Sequence, residues 1–377
     1  MEPSVLKQKP LKLMYVVTED WYFYTHRLPF ARAAREAGYE VAVVTRYGSA
    51  AKAIEAQGIR VIPFAISRSG MNPFYELATM LRLALLLRRE RPALVHFIAL
   101  KPVFVGNPAA RLARVPHRVS TIAGLGTLFI DSRLGVLAKI IRWLLSRMLR
   151  GSVVLVQNQT DRAFWMQAGL DEEQIVLVPG VGVDLKRFSP RPEPPGTPVV
   201  LLPARMLWTK GIKEFITAAE ILKSAGVEAR FVLVGPVDED SPVSVPQTQL
   251  EQWQAMGLSE WWGYRSDMAS VYQQAHLIVL PSYREGLPKV LLEAAATARA
   301  IVTTDVPGCR DVVKQGVNGL LVPPRDPVAL ARAIRTLIED PERRRRMGQR
   351  GRELVEQHFA QEKIIRHILS IYNQVVS

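Results

Sequence analysis

Short apolar runs alternate with helical patterns along almost the whole chain, and no other feature limits the fold so strongly. In the first half, "LKLMYVV" (11–17), "EVAVVT" (40–45), "RVIPF" (60–64), "LVHFIA" (94–99), "HRVSTI" (117–122) and "VVLVQN" (153–158) are too short for most helices and too continuously apolar for strands with one wet face. Segments with helical spacing, such as "LPFARAAREAG" (28–38), lie between them. Such strands belong in a parallel sheet covered by helices on both faces. At 189 the pattern stops in "SPRPEPPGTP", a run that cannot be helix interior and makes a natural linker. It then resumes with "VVLLPARM" (199–206), "RFVLVGP" (230–236), "HLIVLPS" (276–282), "AIVTTD" (300–305) and "GLLVPP" (319–324). The order predicts an α/β chain of two doubly wound, Rossmann-like domains facing each other across a cleft: 1–188, a linker at 189–198, and 199–360. A length of 377 residues agrees, since single cores rarely grow past about 250 to 300 residues.

Several classes are disfavoured by simple counts. Cys309 is the only cysteine, which removes an intramolecular disulfide and the usual zinc clusters, so the chain reads as cytoplasmic. The start, "MEPSVLKQKPLKLMYVV", lacks the apolar stretch and cleavage site of a secretory signal. The most apolar segment, "LATMLRLALLL" (77–87), is cut by Arg82 and falls short of the roughly 18 to 20 residues of a membrane span. The net charge of +14 is uneven: residues 60–150 hold 15 Lys and Arg against 3 Asp and Glu. An anionic partner is implied. Nucleic acid is disfavoured because the stretch lacks aromatic interleaving and any recognised motif. "LATMLRLALLLRRERP" (77–92) and "LGVLAKIIRWLLSRMLRG" (134–151) suit amphipathic helices resting on an anionic membrane surface. A core-facing helix with a solvated basic face is the alternative for each.

Ligands of doubly wound sheets bind beyond the carboxyl ends of the strands, and the chemistry-bearing residues fall there. Arg205 and Lys210 stand on one strand-to-helix loop beside Gly211. A fork-shaped and a point cation together suit a diphosphate; solvated loop charges are the alternative. The turn Gly286, Leu287, Pro288 and Lys289 opens a helix whose first N–H groups face the same edge. Glu285 precedes those donors, where a carboxylate can accept hydrogen bonds from ligand hydroxyls. Glu293 lies deeper, among "VLLEAAA", where an unpaired acid is costly to bury. A ligand with both phosphates and hydroxyls follows.

Taken together, "RMLWTKGIKEF" (205–215), "FVLVGP" (231–236), "WWGYRSDM" (261–268), the spacing of Glu285 and Glu293, and "DVPGCRDVVKQGVNGLLVPPRDPVALARAI" (305–334) resemble the C-terminal half of the retaining family 4 glycosyltransferases of GT-B architecture. The resemblance implies that a sugar moves from a nucleotide diphosphate to an acceptor with its anomeric configuration kept. It implies Arg205 and Lys210 on the diphosphate, Glu285 on the donor sugar, Glu293 on the ribose, and Tyr264 and Arg265 at the base, with no metal or other cofactor. In the first half, "WYFYTHRLPFARAAREAGYEV" (21–41), "ISRSGMNPF" (66–74) and "IAGLGTLFID" (122–131) resemble the subgroup that extends undecaprenyl-diphosphate-linked saccharides in bacterial polysaccharide or protein-glycan assembly. That implies a UDP-sugar donor, a hexose or N-acetylhexosamine, and an acceptor with a diphosphate head and a lipid tail. It also implies a peripheral place on the cytoplasmic face of the inner membrane, with His26, Arg27 and Arg68 as acceptor contacts and Gly124 in a donor-side loop. Many relatives carry His before that loop, where this chain has Ala123. The last helix (361–377) is expected to cross back onto the first domain, as in relatives. A soluble enzyme of the same architecture acting on a small acceptor, a nucleotide-sugar epimerase and a basic nucleic-acid-binding protein are the rival readings.

Four further features invite functional readings. "DED" (238–240) resembles a metal motif of another glycosyltransferase architecture, but its polar setting favours a solvated loop. Cys309 in "PGCRD" has no histidine nearby in sequence and reads as a small loop residue. "GVGVD" (180–184) is too short to count as a phosphate loop. His96, at a strand end, reads as a satisfied core histidine.

Overall fold

The apolar runs become the strands of two parallel sheets in a computed structural model that describes residues 10–67, 72–122, 143–239 and 241–377. The chain divides into two compact units, Met1–Val181 with Ile365–Ser377, and Gly182–Ile364.

In unit 1 the strands are β1 (Lys12–Glu19), β2 (Glu40–Arg46), β3 (Arg60–Pro63), β4 (Leu94–Ile98), β5 (His117–Ile122), β6 (Val153–Val156) and β7 (Ile175–Leu177), in spatial order β3-β2-β1-β4-β5-β6-β7. The register between β1 and β2 pairs Leu13 with Val41 and Tyr15 with Val43. Leu13, Met14, Tyr15, Val16 and Val17 are all fully buried, as a central strand covered on both faces requires. The helices are α1 (Asp20–His26), α2 (Leu28–Glu36), α3 (Ala51–Glu55), α4 (Pro73–Glu90), α5 (Leu100–Leu112), α6 (143–149) and α7 (Gln159–Gln167). The chain's last helix is α15 (Gln361–Val376). Its Tyr372 is fully buried in unit 1, with the hydroxyl 2.6 Å from His96 Nδ1 and 3.1 Å from the Tyr15 hydroxyl.

α4 starts cleanly because the Asn72 side chain accepts from Phe74 N at 3.0 Å and Pro73 occupies the first turn. Its inward face is Glu76, Thr79, Leu83, Ala84 and Leu87. Its outward face carries the exposed Arg82, Arg88 and Arg89 of the simpler reading and large apolar side chains besides: Phe74, Leu77, Leu81 and Leu85 are 84%, 51%, 48% and 69% exposed.

Unit 2 holds β8 (Val199–Pro203), β9 (Arg230–Val234), β10 (Glu260–Trp261), β11 (Leu277–Leu280), β12 (Ala300–Thr304) and β13 (Gly319–Val322), in the order β10-β9-β8-β11-β12-β13. Around them lie α8 (Ile212–Ser224), α9 (Gln247–Ala255), α10 (Met268–Gln273), α11 (Lys289–Ala296), α12 (Cys309–Val312), α13 (Pro327–Glu339) and α14 (Pro341–His358). Both sheets therefore change direction at one point, between β1 and β4 and between β8 and β11.

The domain boundaries differ from the sequence-based ones. The division falls at Val181/Gly182, not in the Pro-rich run, and the segment returning to unit 1 starts at Ile365. Residues 189–198 are a strap on unit 2. Arg344 Nε and Nη2 grip the two oxygens of Glu193 at 2.8 and 2.7 Å, Arg299 Nη1 donates to the Arg191 carbonyl at 2.8 Å, and His276 Nε2 lies 2.8 Å from the Pro194 carbonyl oxygen. Arg299 and Arg344 are buried, so the strap's carbonyls and its one acid satisfy charges that otherwise face an apolar interior. Strands β7 and β10 are absent from the sequence reading because three and two residues carry too little pattern.

Candidate functional site

The crevice of a sheet in this order opens beyond the carboxyl ends of its two middle strands. In unit 2 those are β8 and β11, and the loops after them carry Lys210 and Glu285. The β8 loop ends in a 3₁₀ turn, Trp208–Lys210, and then Gly211 at φ +74°. A Cβ on Gly211 would stand 2.1 Å from the Pro281 carbonyl oxygen, so glycine is needed both for the left-handed backbone and for the approach of the two loops. Tyr283 N donates to the Thr209 carbonyl at 3.0 Å, which fastens one loop to the other. Lys210 Nζ then donates to Glu285 Oε1 at 2.5 Å, and Ser282 Oγ donates to the same oxygen at 2.7 Å.

Tyr283 is held by groups the sequence reading did not single out. Its hydroxyl donates to Glu214 Oε1 at 2.7 Å, and the Arg325 guanidinium lies 4.7 Å from its ring centre. Burial, followed by the hydrogen bond and charge of Glu214, pushes the Tyr283 hydroxyl up to about 12, so it stays a donor at neutral pH. Glu214 lies four residues after Lys210, one turn into α8. That spacing was the available signal.

Arg205 ion-pairs with Asp238 from the loop after β9, and its side chain remains 41% exposed. The expected solvated "DED" loop is thus corrected at Asp238, whose side chain is 11% exposed and serves as the arginine's partner; Asp240 lies outside the described residues. Gly286, Leu287 and Pro288 form the turn into α11, with Pro288 as the N-cap and Lys289 the first helical residue. Glu293 is 5% exposed but not alone: Tyr272 Oη donates to its Oε2 at 3.1 Å and Lys289 Nζ lies 3.2 Å from its Oε1. Tyr264 is 70% exposed. Arg265 makes a two-pronged ion pair with Asp267, at 2.8 and 2.6 Å. Cys309 is not the small loop residue expected but the fully buried first residue of α12, and burial together with the nearby Glu285 charge pushes its thiol up to about 12, which does not suit a nucleophile.

The sequence-derived residues of the other half fall in unit 1. His26 stacks on Tyr22 with ring centres 4.5 Å apart, and Arg27 is 2% exposed at the junction of α1 and α2. His96 is the satisfied core histidine expected: Nδ1 meets Tyr372 Oη and Nε2 meets Thr121 Oγ1, each at 2.6 Å. Burial, and then the charge of Arg27, hold its imidazole well below the ordinary range and therefore neutral. Arg68, Ala123 and Gly124 lie outside the described residues.

Comparison with known proteins gives a consistent picture. Residues 185–354 match the family described as "Glycosyl transferases group 1" and residues 12–158 match "Glycosyl transferase 4-like". The N,N'-diacetylbacillosaminyl-diphospho-undecaprenol alpha-1,3-N-acetylgalactosaminyltransferase of Campylobacter jejuni is 29% identical over 94% of this chain and 96% of its own length. The capsular polysaccharide biosynthesis glycosyltransferase CapM of Staphylococcus aureus is 24% identical over 90% of this chain and 91% of its own. Among solved structures, Anabaena Alr3699/HepE in complex with UDP and glucose superposes with a TM-score of 0.79 at 18% identity, over 96% of this chain and 99% of that one, which shows a shared fold.

Proposed function

This chain is a group 1 glycosyltransferase of GT-B fold with a glycosyltransferase 4-like first half, and from that premise we propose that it moves a hexose or N-acetylhexosamine, with retention, from a UDP-sugar to a saccharide carried on a polyprenyl diphosphate. The observation that carries the donor half is the Lys210–Glu285 pair at the crevice of unit 2. The acceptor half is supported by likeness to the Campylobacter jejuni enzyme over nearly the full length of both chains.

On this reading, departure of UDP builds negative charge on the β-phosphate. Lys210, Arg205 and the first N–H groups of α11 meet it without a metal. Arg205 has to share its charge with Asp238; its own side chain is 41% exposed, so solvent screens that pull. Glu285 accepts from hydroxyls of the sugar, Glu293 from the ribose, and Tyr264 and Arg265 flank the base. The bond from the anomeric carbon to the phosphate oxygen breaks as the bond to the acceptor oxygen forms on the same face. The acceptor's proton passes to the departing phosphate, so no protein nucleophile is needed.

The lipid tail explains α4. Four large apolar side chains at helical spacing face outward, with Arg82, Arg88 and Arg89 exposed on the same helix, an arrangement suited to an anionic bilayer surface. No helix among the described residues is long and apolar enough to cross a membrane. We place the protein peripherally on the cytoplasmic face of the inner membrane, where polyprenyl-linked intermediates are extended.

The test is a donor screen with the purified protein: UDP-glucose, UDP-galactose, their N-acetyl forms and GDP-mannose, each with and without a polyprenyl-diphosphate-linked saccharide, and each with and without EDTA. Acceptor-dependent release of UDP from one donor, unaffected by EDTA, is the expected result. Turnover only with a small soluble acceptor overturns the acceptor half, and tight oligonucleotide binding with no response to UDP overturns both.

A further inference from the structure

Among the described residues Arg27 is a buried cation without an acidic counterpart. It links α1 to α2, its residue is 2% exposed, and its Nε and Nη2 are buried with no hydrogen-bond partner. The guanidinium lies 5.7 Å from the Phe30 ring centre, a contact that cannot satisfy two N–H donors. A guanidinium taken out of water without a partner destabilises the fold. Neighbouring polar groups make no hydrogen bond to Nε or Nη2: the nitrogens of His96 face Tyr372 and Thr121, and the Tyr15 hydroxyl accepts from Tyr372.

Arg27 also lines a cavity of about 10 Å³ with Thr121, Gln157, Val178, Gly180 and Ile368. Space of that size takes one oxygen-sized group. Thr121 is near the carboxyl end of β5, Gln157 follows β6, and Val178 and Gly180 follow β7. The cavity therefore lies at the carboxyl-end edge of the unit 1 sheet, beside β5, β6 and β7 and to one side of the β1/β4 switch point, the same edge at which ligands of such sheets bind. A cost in stability that persists at a ligand edge is the mark of a group kept for binding.

We propose that Arg27 is an anion-binding residue that receives one phosphate-type oxygen in this cavity, and, resting on the acceptor reading above, that the oxygen belongs to the diphosphate of the lipid-linked acceptor. The remainder of the phosphate stays outside the cavity. Charge-assisted hydrogen bonds from Nε and Nη2 are the recognition chemistry.

Melting of wild type, Arg27→Met, Arg27→Gln and Arg27→Lys in a chloride-free buffer, with and without sodium phosphate or sodium pyrophosphate, tests the anion site without relying on catalysis. Without anion, Arg27→Met melts at or above wild type, because an unpaired charge is gone; with pyrophosphate, wild type and Arg27→Lys gain and Arg27→Met and Arg27→Gln do not. Turnover then identifies the source: for the lipid-diphosphate acceptor KM rises roughly tenfold to a hundredfold in Arg27→Met while KM for the UDP-sugar is unchanged. Anion-dependent melting with an unchanged acceptor KM keeps the anion site and overturns the acceptor as its source. Equal anion effects in wild type and Arg27→Met, or loss of folding in all three variants, overturn the proposal. Because the melting arm needs no donor, a failure of the transferase reading does not decide it.

Discussion

Among the described residues Glu285 receives its hydrogen bonds on Oε1, from Lys210 and from Ser282, and on the proposed reading Oε2 accepts from the donor sugar. On that reading the lysine holds the carboxylate in place and meets the phosphate at once, so removing either side chain disturbs both tasks. Lys210→Ala and Glu285→Ala are each expected to lower kcat by about a hundredfold. The double variant should fall well short of the product of the two losses, because the groups act as a unit. Initial rates on purified proteins with wild-type circular dichroism check this; near-normal rates in either single variant would remove the site assignment. These two residues were legible because their spacing around Gly211 and Pro288 is local. Asp238 was read only as a loop residue and Tyr283 was not singled out, since their partners, Arg205 and Glu214, sit 33 and 69 positions away and no local pattern encodes such pairings.

At the level of elements, the sequence was most informative where burial is two-sided. The runs at 11–17, 40–45 and 300–305 became β1, β2 and β12 nearly residue for residue, because a covered parallel strand leaves no polar positions to blur its ends. It was least informative at 189–198, where proline content was read as independence. Proline forbids helix there but says nothing about what an extended segment lies on, and Glu193 turns that segment into a clamp on Arg344. Glu193→Ala leaves a buried guanidinium without its carboxylate and is expected to lower stability by about 3 kcal/mol at neutral pH. Burial raises the Glu193 carboxyl, and the hydrogen bonds and charge of Arg344 more than reverse this, so its folded value lies below the ordinary one. The group's contribution is therefore complete above its unfolded value near about 4.3 and is lost as pH falls through the lower folded value. Urea unfolding at pH 7 and at pH 3.5 should show the gap between wild type and variant shrinking in acid; a gap independent of pH contradicts the assignment.

For the whole molecule, charge is the property most readily read and least readily interpreted. The excess of 15 basic over 3 acidic residues between 60 and 150 suits an anionic partner of any kind, and in the proposed reading the exposed apolar side chains of α4 are what favour a bilayer over other polyanions. Replacing Leu81 and Leu85 together by Glu should abolish co-sedimentation with vesicles containing anionic lipid while leaving turnover on a short-chain, water-soluble acceptor within about twofold, since surface changes are mild. Unchanged vesicle binding would reassign the stripe. The return of Ile365–Ser377 to unit 1 has a consequence for biogenesis. A ribosome that has released residues 1–181 has delivered Tyr15 and His96 but not Tyr372, the side chain that meets both. Unit 2 is continuous and can fold as it emerges, whereas unit 1 waits for residues 365–377, which follow it. A chain cut before Ile365 therefore keeps the whole of unit 2 but lacks the helix whose Tyr372 meets Tyr15 and His96 in unit 1.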